Sequence, residues 1–211
     1  MKPIFSGNND YNKSAFLNWR ISKHDDIFNL LNLAEGFLFS SIEQAKSCLA
    51  NNDDKRADIL IFPILTNANH GIELYLKAIL WMLNKLSGSD TKIEGAHNIK
   101  QIYQTIRSRI KNYKGQLSLK EFDEDTKELN SYINELIETI NSTEKSDKMD
   151  FSRYPFNNKY ENHFYVGALG NIEVDMEIFV SRFESIHNNL NHLSSFLHEW
   201  ELNENEENYY F

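Results

Sequence analysis

The most regular pattern in the chain lies in its last third. Ile172, Met176, Phe179, Phe183, Ile186, Leu190, Leu193, Leu197 and Trp200 recur in alternating steps of four and three, the seam of a helix of about eight turns. Upstream, Ile27, Leu31, Ala34, Leu38, Ala45 and Leu49 keep helical spacing and predict a first helix. Ser22 stands as its N-cap with Asp25 three residues on, and "NNDD" as its turn-like end. The segment "ADILIFPILTNANHGIELYLKAILWMLNKLSG" is apolar nearly all round, as expected of a central helix touching several neighbours. Pro63 predicts a start or a kink there, and "LSG" at 86–88 a C-terminal stop. One polar stripe, Thr66, His70, Glu73 and Lys77, crosses this cylinder at spacings of four, three and four.

A third helix, from about His97 to Tyr113, turns Ile99, Ile102, Ile106, Ile110 and Tyr113 inward and Lys100, Arg107, Lys111 and Lys114 outward. The capping-box pattern "SLKE" at 118–121 opens a fourth, with Phe122, Leu129, Ile133, Leu136 and Ile140 inward. Residues 141–171 form no periodic element, but their aromatic content predicts an ordered excursion that docks on the helices rather than a linker. The expected architecture is all-α: an antiparallel bundle of about five helices with a long ordered loop before the last one. We expect a single domain over residues 1–211, irregular up to Ile21 and ending in an acidic tail at 202–211.

Composition narrows the function classes. Three prolines and eight glycines in 211 residues suit long helices and argue against a turn-rich β-sandwich. No stretch approaches the run of about 18 apolar residues that a membrane span needs, and "MKPIFSGNNDY" lacks the apolar core of a targeting signal, so a cytoplasmic location is expected. The single cysteine, Cys48, reads as core filler. A net charge of −9 disfavours non-specific adhesion to nucleic acid. Its distribution is uneven: residues 97–117 carry +5 and residues 118–147 carry −6. The basic face of the third helix is therefore read either as a track for a phosphate backbone or as a solvated face balanced by the acidic fourth helix. No histidine pair at i, i+4 and no His/Cys/Asp cluster has metal spacing, so no metal and no cofactor are expected.

The run "FPILTNANHGIELYLKAILWML", with "AHNI" about a dozen residues beyond it and "DFSRYP" at 150–155 before the closing helix, resembles the HEPN superfamily of small helical bundles ("higher eukaryotes and prokaryotes nucleotide-binding"). The resemblance spans roughly residues 55–200 and is similar to a prokaryotic branch with an "RYP" segment ahead of the last helix. It implies a cytoplasmic toxin, antiphage or RNA-processing protein, a homodimer, RNA as substrate, and an antitoxin or other partner protein. The superfamily's ribonuclease signature is an arginine, four to six residues, then a histidine on the last helix; Arg182 and His187 match it in spacing and place. Phe183 departs from it, where a polar residue usually follows the arginine.

The chemistry suits those residue types. Metal-independent RNA cleavage needs a base for the 2′-hydroxyl proton, a role for histidine, and a cation for the phosphorane, a role for arginine. Five residues span about 140° of a helix, so Arg182 and His187 fall on the two shoulders of the apolar seam, at g and e of its heptad. There the pair is either catalytic or helix-edge decoration. His192 and His198 fall outside the seam and read as solvent-facing, and Asn188 as a substrate contact or a solvated side chain. His70, Glu73 and Lys77 read either as a binding pocket or as a satisfied network, His97 as a bonder at a helix start. Arg153 and Tyr154 read as a base or phosphate site or as anchors of the loop. Two functions follow as expectations: an endoribonuclease using Arg182 and His187, or a non-catalytic dimerisation, nucleotide-binding or partner-binding module.

Overall fold

The computed structural model describes residues 1–92, 97–141, 151–168 and 170–202. Among them are six α-helices and no strand: α1 (Asp26–Ala50), α2 (Ala57–Leu86), α3 (Ile99–Lys111), α4 (Leu119–Asp125), α5 (Lys127–Ile140) and α6 (Met176–Ser195). The chain is all-helical, as the apolar spacing predicts. The tail beyond Leu202, residues 142–150 of the excursion, Ala96 of "AHNI" and Asp150 of "DFSRYP" lie outside the described residues.

α1 begins one turn later than Ser22 suggested. Its N-cap is Asp25, whose carboxylate accepts from the Phe28 amide at 2.8 Å. Ser22 is engaged instead by Asn29, whose side chain pairs with the Ser22 backbone N–H and carbonyl, each at 2.7 Å. A short amide side chain facing a backbone donor and acceptor satisfies both, so Ser22 marks the chain's approach to the helix, not its start.

α2 is the axis. From Tyr75 to Asn84 every residue but Lys77 is buried, which is possible only for a helix with neighbours on all sides. α1 packs antiparallel on one side, α3 on another, and α6 lies across both α1 and α2. Pro63 neither starts nor stops α2; the helix begins six residues earlier and runs through it. Proline leaves one carbonyl, that of Ile59, without its helical donor, and Ile59 is 75% exposed, so water reaches the freed group. The "LSG" stop holds: Gly88 has φ +73°, and the Gly88 and Ser89 amides donate back to the Lys85 and Asn84 carbonyls, both at 2.9 Å.

The capping box at Ser118 and Glu121 forms as its spacing predicts. The single fourth helix does not: it is interrupted at Thr126, giving α4 and α5. Thr126 donates its hydroxyl to the Phe122 carbonyl at 2.6 Å and meets the Tyr103 hydroxyl at 3.0 Å, both buried. A threonine bonding back one turn competes with the helix ladder and bends the chain, which lets α5 reach α6.

The described part of the excursion docks as expected. Thr66 Oγ1 donates to Ser152 Oγ at 2.9 Å, Tyr165 packs at a tilt against Phe62 with centroids 5.3 Å apart, and Phe151 and Phe164 are buried. The last helix needs two corrections. Ile172 lies before α6 and is 46% exposed, and Trp200, expected inward, is 62% exposed. From Phe196 to Leu202 the helix continues as a π-helix; bonds from i to i+5 widen the turn, so Leu197 and Leu202 share the buried face and Trp200 rotates out.

Candidate functional site

Three polar constellations sit on this frame: one on each shoulder of α6, and one along the stripe of α2. α6 contributes Phe179, Phe183, Ile186 and Leu190 to the core. That burial fixes its rotation and therefore aims Arg182 and His187.

Arg182 faces α5. Its Nη1 donates to Glu135 Oε2 at 2.5 Å and Nη2 to Ser131 Oγ at 3.2 Å, while Nε lies 3.3 Å from Glu128 Oε2 without hydrogen-bond alignment. The side chain is 23% exposed and forms part of the wall of a groove of about 1010 Å³ between α2, α5, the start of α6 and the loop residues Phe151, Phe164 and Tyr165.

His187 faces the other way, toward α1 and α2. Its Nε2 lies 2.5 Å from Glu35 Oε2, and the same oxygen accepts the Tyr75 hydroxyl at 2.7 Å. Because a carboxylate can only accept, Nε2 is the donor in this contact. Burial raises the Glu35 carboxyl, but the hydrogen bonds from His187 and Tyr75 outweigh it and hold the group below the ordinary carboxylate range. Burial, reinforced by Glu35, pushes the Tyr75 phenol far above its usual value. The contacts thus favour the ionised form of Glu35 and the protonated form of Tyr75. Within one chain, then, Arg182 is held by α5 and His187 by α1 and α2, and among the described residues the groove that Arg182 lines does not include His187.

Phe183 locks the rotation of α6 and so the direction in which each of them points. It is 2% exposed, stacked on Phe179 with centroids 4.1 Å apart and edge-on to Tyr132 at 4.8 Å. The position where the signature carries a polar residue is here a core aromatic. Asn188, next to His187, is exposed, as is His192. His198 contradicts its expected solvent-facing place: its side chain is 12% exposed, with Nε2 2.9 Å from Asp25 Oδ2. Together with Lys46–Glu184 at 2.9 Å, these contacts form a ladder of three polar pairs joining α6 to α1. Spacing alone could not reveal it, because a heptad read from one helix does not show what the facing helix offers.

The α2 stripe divides. Thr66 ties down the loop through Ser152, whereas His70, Glu73 and Lys77 gather with His97. Glu73 is 8% exposed; its Oε1 accepts from Lys77 Nζ at 2.7 Å and faces His97 Nδ1 at 2.9 Å, and its Oε2 is 4.0 Å from His70 Nδ1. Burial raises the Glu73 carboxyl, yet Lys77 and His97 pull it below the usual range. Burial is also the largest influence on His70 and depresses its imidazole; Arg153 and Lys77 act in the same direction and Glu73 against them. Arg153 therefore lies within electrostatic reach of the stripe, and Tyr154 beside it is 58% exposed. These residues lie far apart in the sequence; the approach to α3 brings His97 to the stripe, and the docking of the loop brings Arg153.

The basic face of α3 is met by the acidic α4. Arg107 Nε and Nη2 each donate to Asp123 at 2.6 Å, a bidentate pair. Among the described residues no helix is long and apolar enough to cross a membrane. Comparison with known proteins returns no matching family model, no matching curated protein and no matching solved structure.

Proposed function

We propose that the chain is a non-catalytic, HEPN-like binding module whose ligand is a nucleotide, and that Arg182 and His187 serve it as inter-helix clamps. The observation that carries this reading is their opposed geometry, each side chain held by carboxylates on a different neighbour. Metal-independent cleavage requires a base with a free lone pair and a cation at the same phosphate, and one chain brings no such pair together on α6. The charge of −9 favours a ligand of nucleotide size over a long polyanion. Equilibrium titration with fluorescent ribonucleotides tests the proposal. Saturable binding that survives Arg182→Ala and His187→Ala, in variants that keep their helical circular dichroism, is expected; absence of nucleotide binding removes the reading.

A second reading is an endoribonuclease of the toxin or antiphage kind, acting as a homodimer and controlled by a partner protein. It is favoured by the place of Arg182 on the wall of the groove. In it Arg182 stabilises the phosphorane, His187 of a second copy supplies acid–base catalysis, and the products carry 2′,3′-cyclic phosphate ends. Loss of such cleavage in both alanine variants is its required result.

A further inference from the structure

The cluster around Glu73 has an inside and an outside of opposite sign. Inside, the Glu73 carboxylate is 10% exposed and its partner Lys77 11%. Outside, the His97 side chain is 80% exposed, His70 is 42% exposed, and Arg153 is exposed with no hydrogen bond or ion pair to any described residue. The negative group is buried behind and the donors face solvent. Three separate chain segments supply it: α2, the approach to α3, and the loop that Thr66 pins through Ser152 one turn before His70. The edge of Phe37 packs against the His70 ring, with centroids 4.5 Å apart, and fixes its orientation.

We infer that this cluster is a phosphate-binding site that takes the phosphate group of the module's nucleotide, an inference that rests on the binding reading above. Each component has a physical role. Glu73 holds His97 by Nδ1, which leaves Nε2 on the outward side of the ring; with a phosphate bound and both ring nitrogens carrying a proton, Nε2–H donates to a phosphate oxygen while Glu73 lies behind. Lys77, fixed by the same carboxylate, supplies a buried positive charge. Arg153, whose guanidinium fork matches two phosphate oxygens, is uncommitted to any described acid and closes the site from the loop side. His70 is the third outward donor. A cation in place of the anion would meet Arg153, Lys77 and two imidazoles with one buried carboxylate to offset them, so the arrangement selects anions.

The test titrates the purified chain, in phosphate-free buffer, with inorganic phosphate, the four ribonucleoside monophosphates and the four phosphate-free nucleosides. His97→Ala and Arg153→Ala alter exposed side chains and are expected to fold, which circular dichroism checks; His192→Ala, on exposed α6 surface, is the control. At least one monophosphate is expected to bind more tightly than its nucleoside, and inorganic phosphate to compete with it. Each of the two cluster variants should weaken that binding by about tenfold or more, as loss of a charge-assisted contact does, with the control unchanged. Monophosphate binding that is indifferent to both variants overturns the site and leaves the binding reading standing. Absence of binding by any of the nine ligands overturns both.

Discussion

At Phe183 the family signature and the fold make opposite demands, and the fold's demand is the larger. Exchanging a fully buried phenylalanine for a small side chain costs about 3–5 kcal/mol, and an asparagine there sets a polar amide among the rings of Phe179 and Tyr132. Phe183→Asn, which restores the polar residue after Arg182, is therefore expected to lower the urea midpoint by a large fraction of the chain's total stability rather than to create activity. A variant that folds as well as the parent would show that the position is not the core element its contacts with Phe179 and Tyr132 indicate. The two shoulders beside it differ from it in kind. His187→Ala removes one of the two donors to Glu35 while Tyr75 keeps the other, and a loss of about 1–3 kcal/mol is expected from chemical denaturation. The seam was legible because burial follows helical period; the partners of Arg182 and His187 were not, because Glu135, Glu128 and Glu35 lie 47 or more positions away. His198 was misread for the same reason, its partner Asp25 being 173 positions distant.

Two glycines on the α1–α2 hairpin make a controlled pair at the scale of the element. A Cβ on Gly71 would stand 2.8 Å from the Leu38 amide nitrogen and 3.1 Å from the Ala34 carbonyl oxygen, both backbone atoms of the facing helix. One on Gly36 would meet nothing within 4 Å. Alanine improves helix propensity by about 1 kcal/mol at either site, whereas overpacking costs about 1–3 kcal/mol and here has no flexible side chain to move aside. Gly36→Ala is thus expected to raise the melting temperature and Gly71→Ala to lower it; a rise in both would mean that the helices do not approach as closely as the structure has them. Both helices and the alternation within them are legible in the apolar spacing, but a glycine in a helical run does not disclose whether a backbone lies opposite. The interruption at Thr126 and the widened turn after Phe196 were hidden in the same way. Each is a tertiary decision, made by Tyr103 and by the buried partners of Leu197 and Leu202, against a local pattern that reads as uninterrupted helix.

For the molecule as a whole, the polar clusters that join α1, α2, α6 and the loop set its response to acid. The His70 imidazole lies below its ordinary 6.5 in the fold, so the unfolded chain takes up that proton more readily. Its contribution is complete above about pH 6.5 and is lost as pH falls through the lower, folded value. Glu35 and Glu73 lie below their ordinary 4.5; their contributions are present above about pH 4.5 and are lost as the pH drops through their own folded values. Stability measured by urea unfolding from pH 8 to pH 3 is expected to fall in two stages, and His70→Gln is expected to remove the first and keep the second. A profile flat from pH 7 to pH 3 would contradict this assignment of the clusters. If Arg182 and His187 hold helices together and the module binds without cutting, incubating the purified chain with single-stranded and structured RNA in EDTA and analysing the RNA ends shows it. Intact RNA with no 2′,3′-cyclic phosphate is expected. Cyclic-phosphate products that vanish in both Arg182→Ala and His187→Ala, with each variant folded, would contradict it.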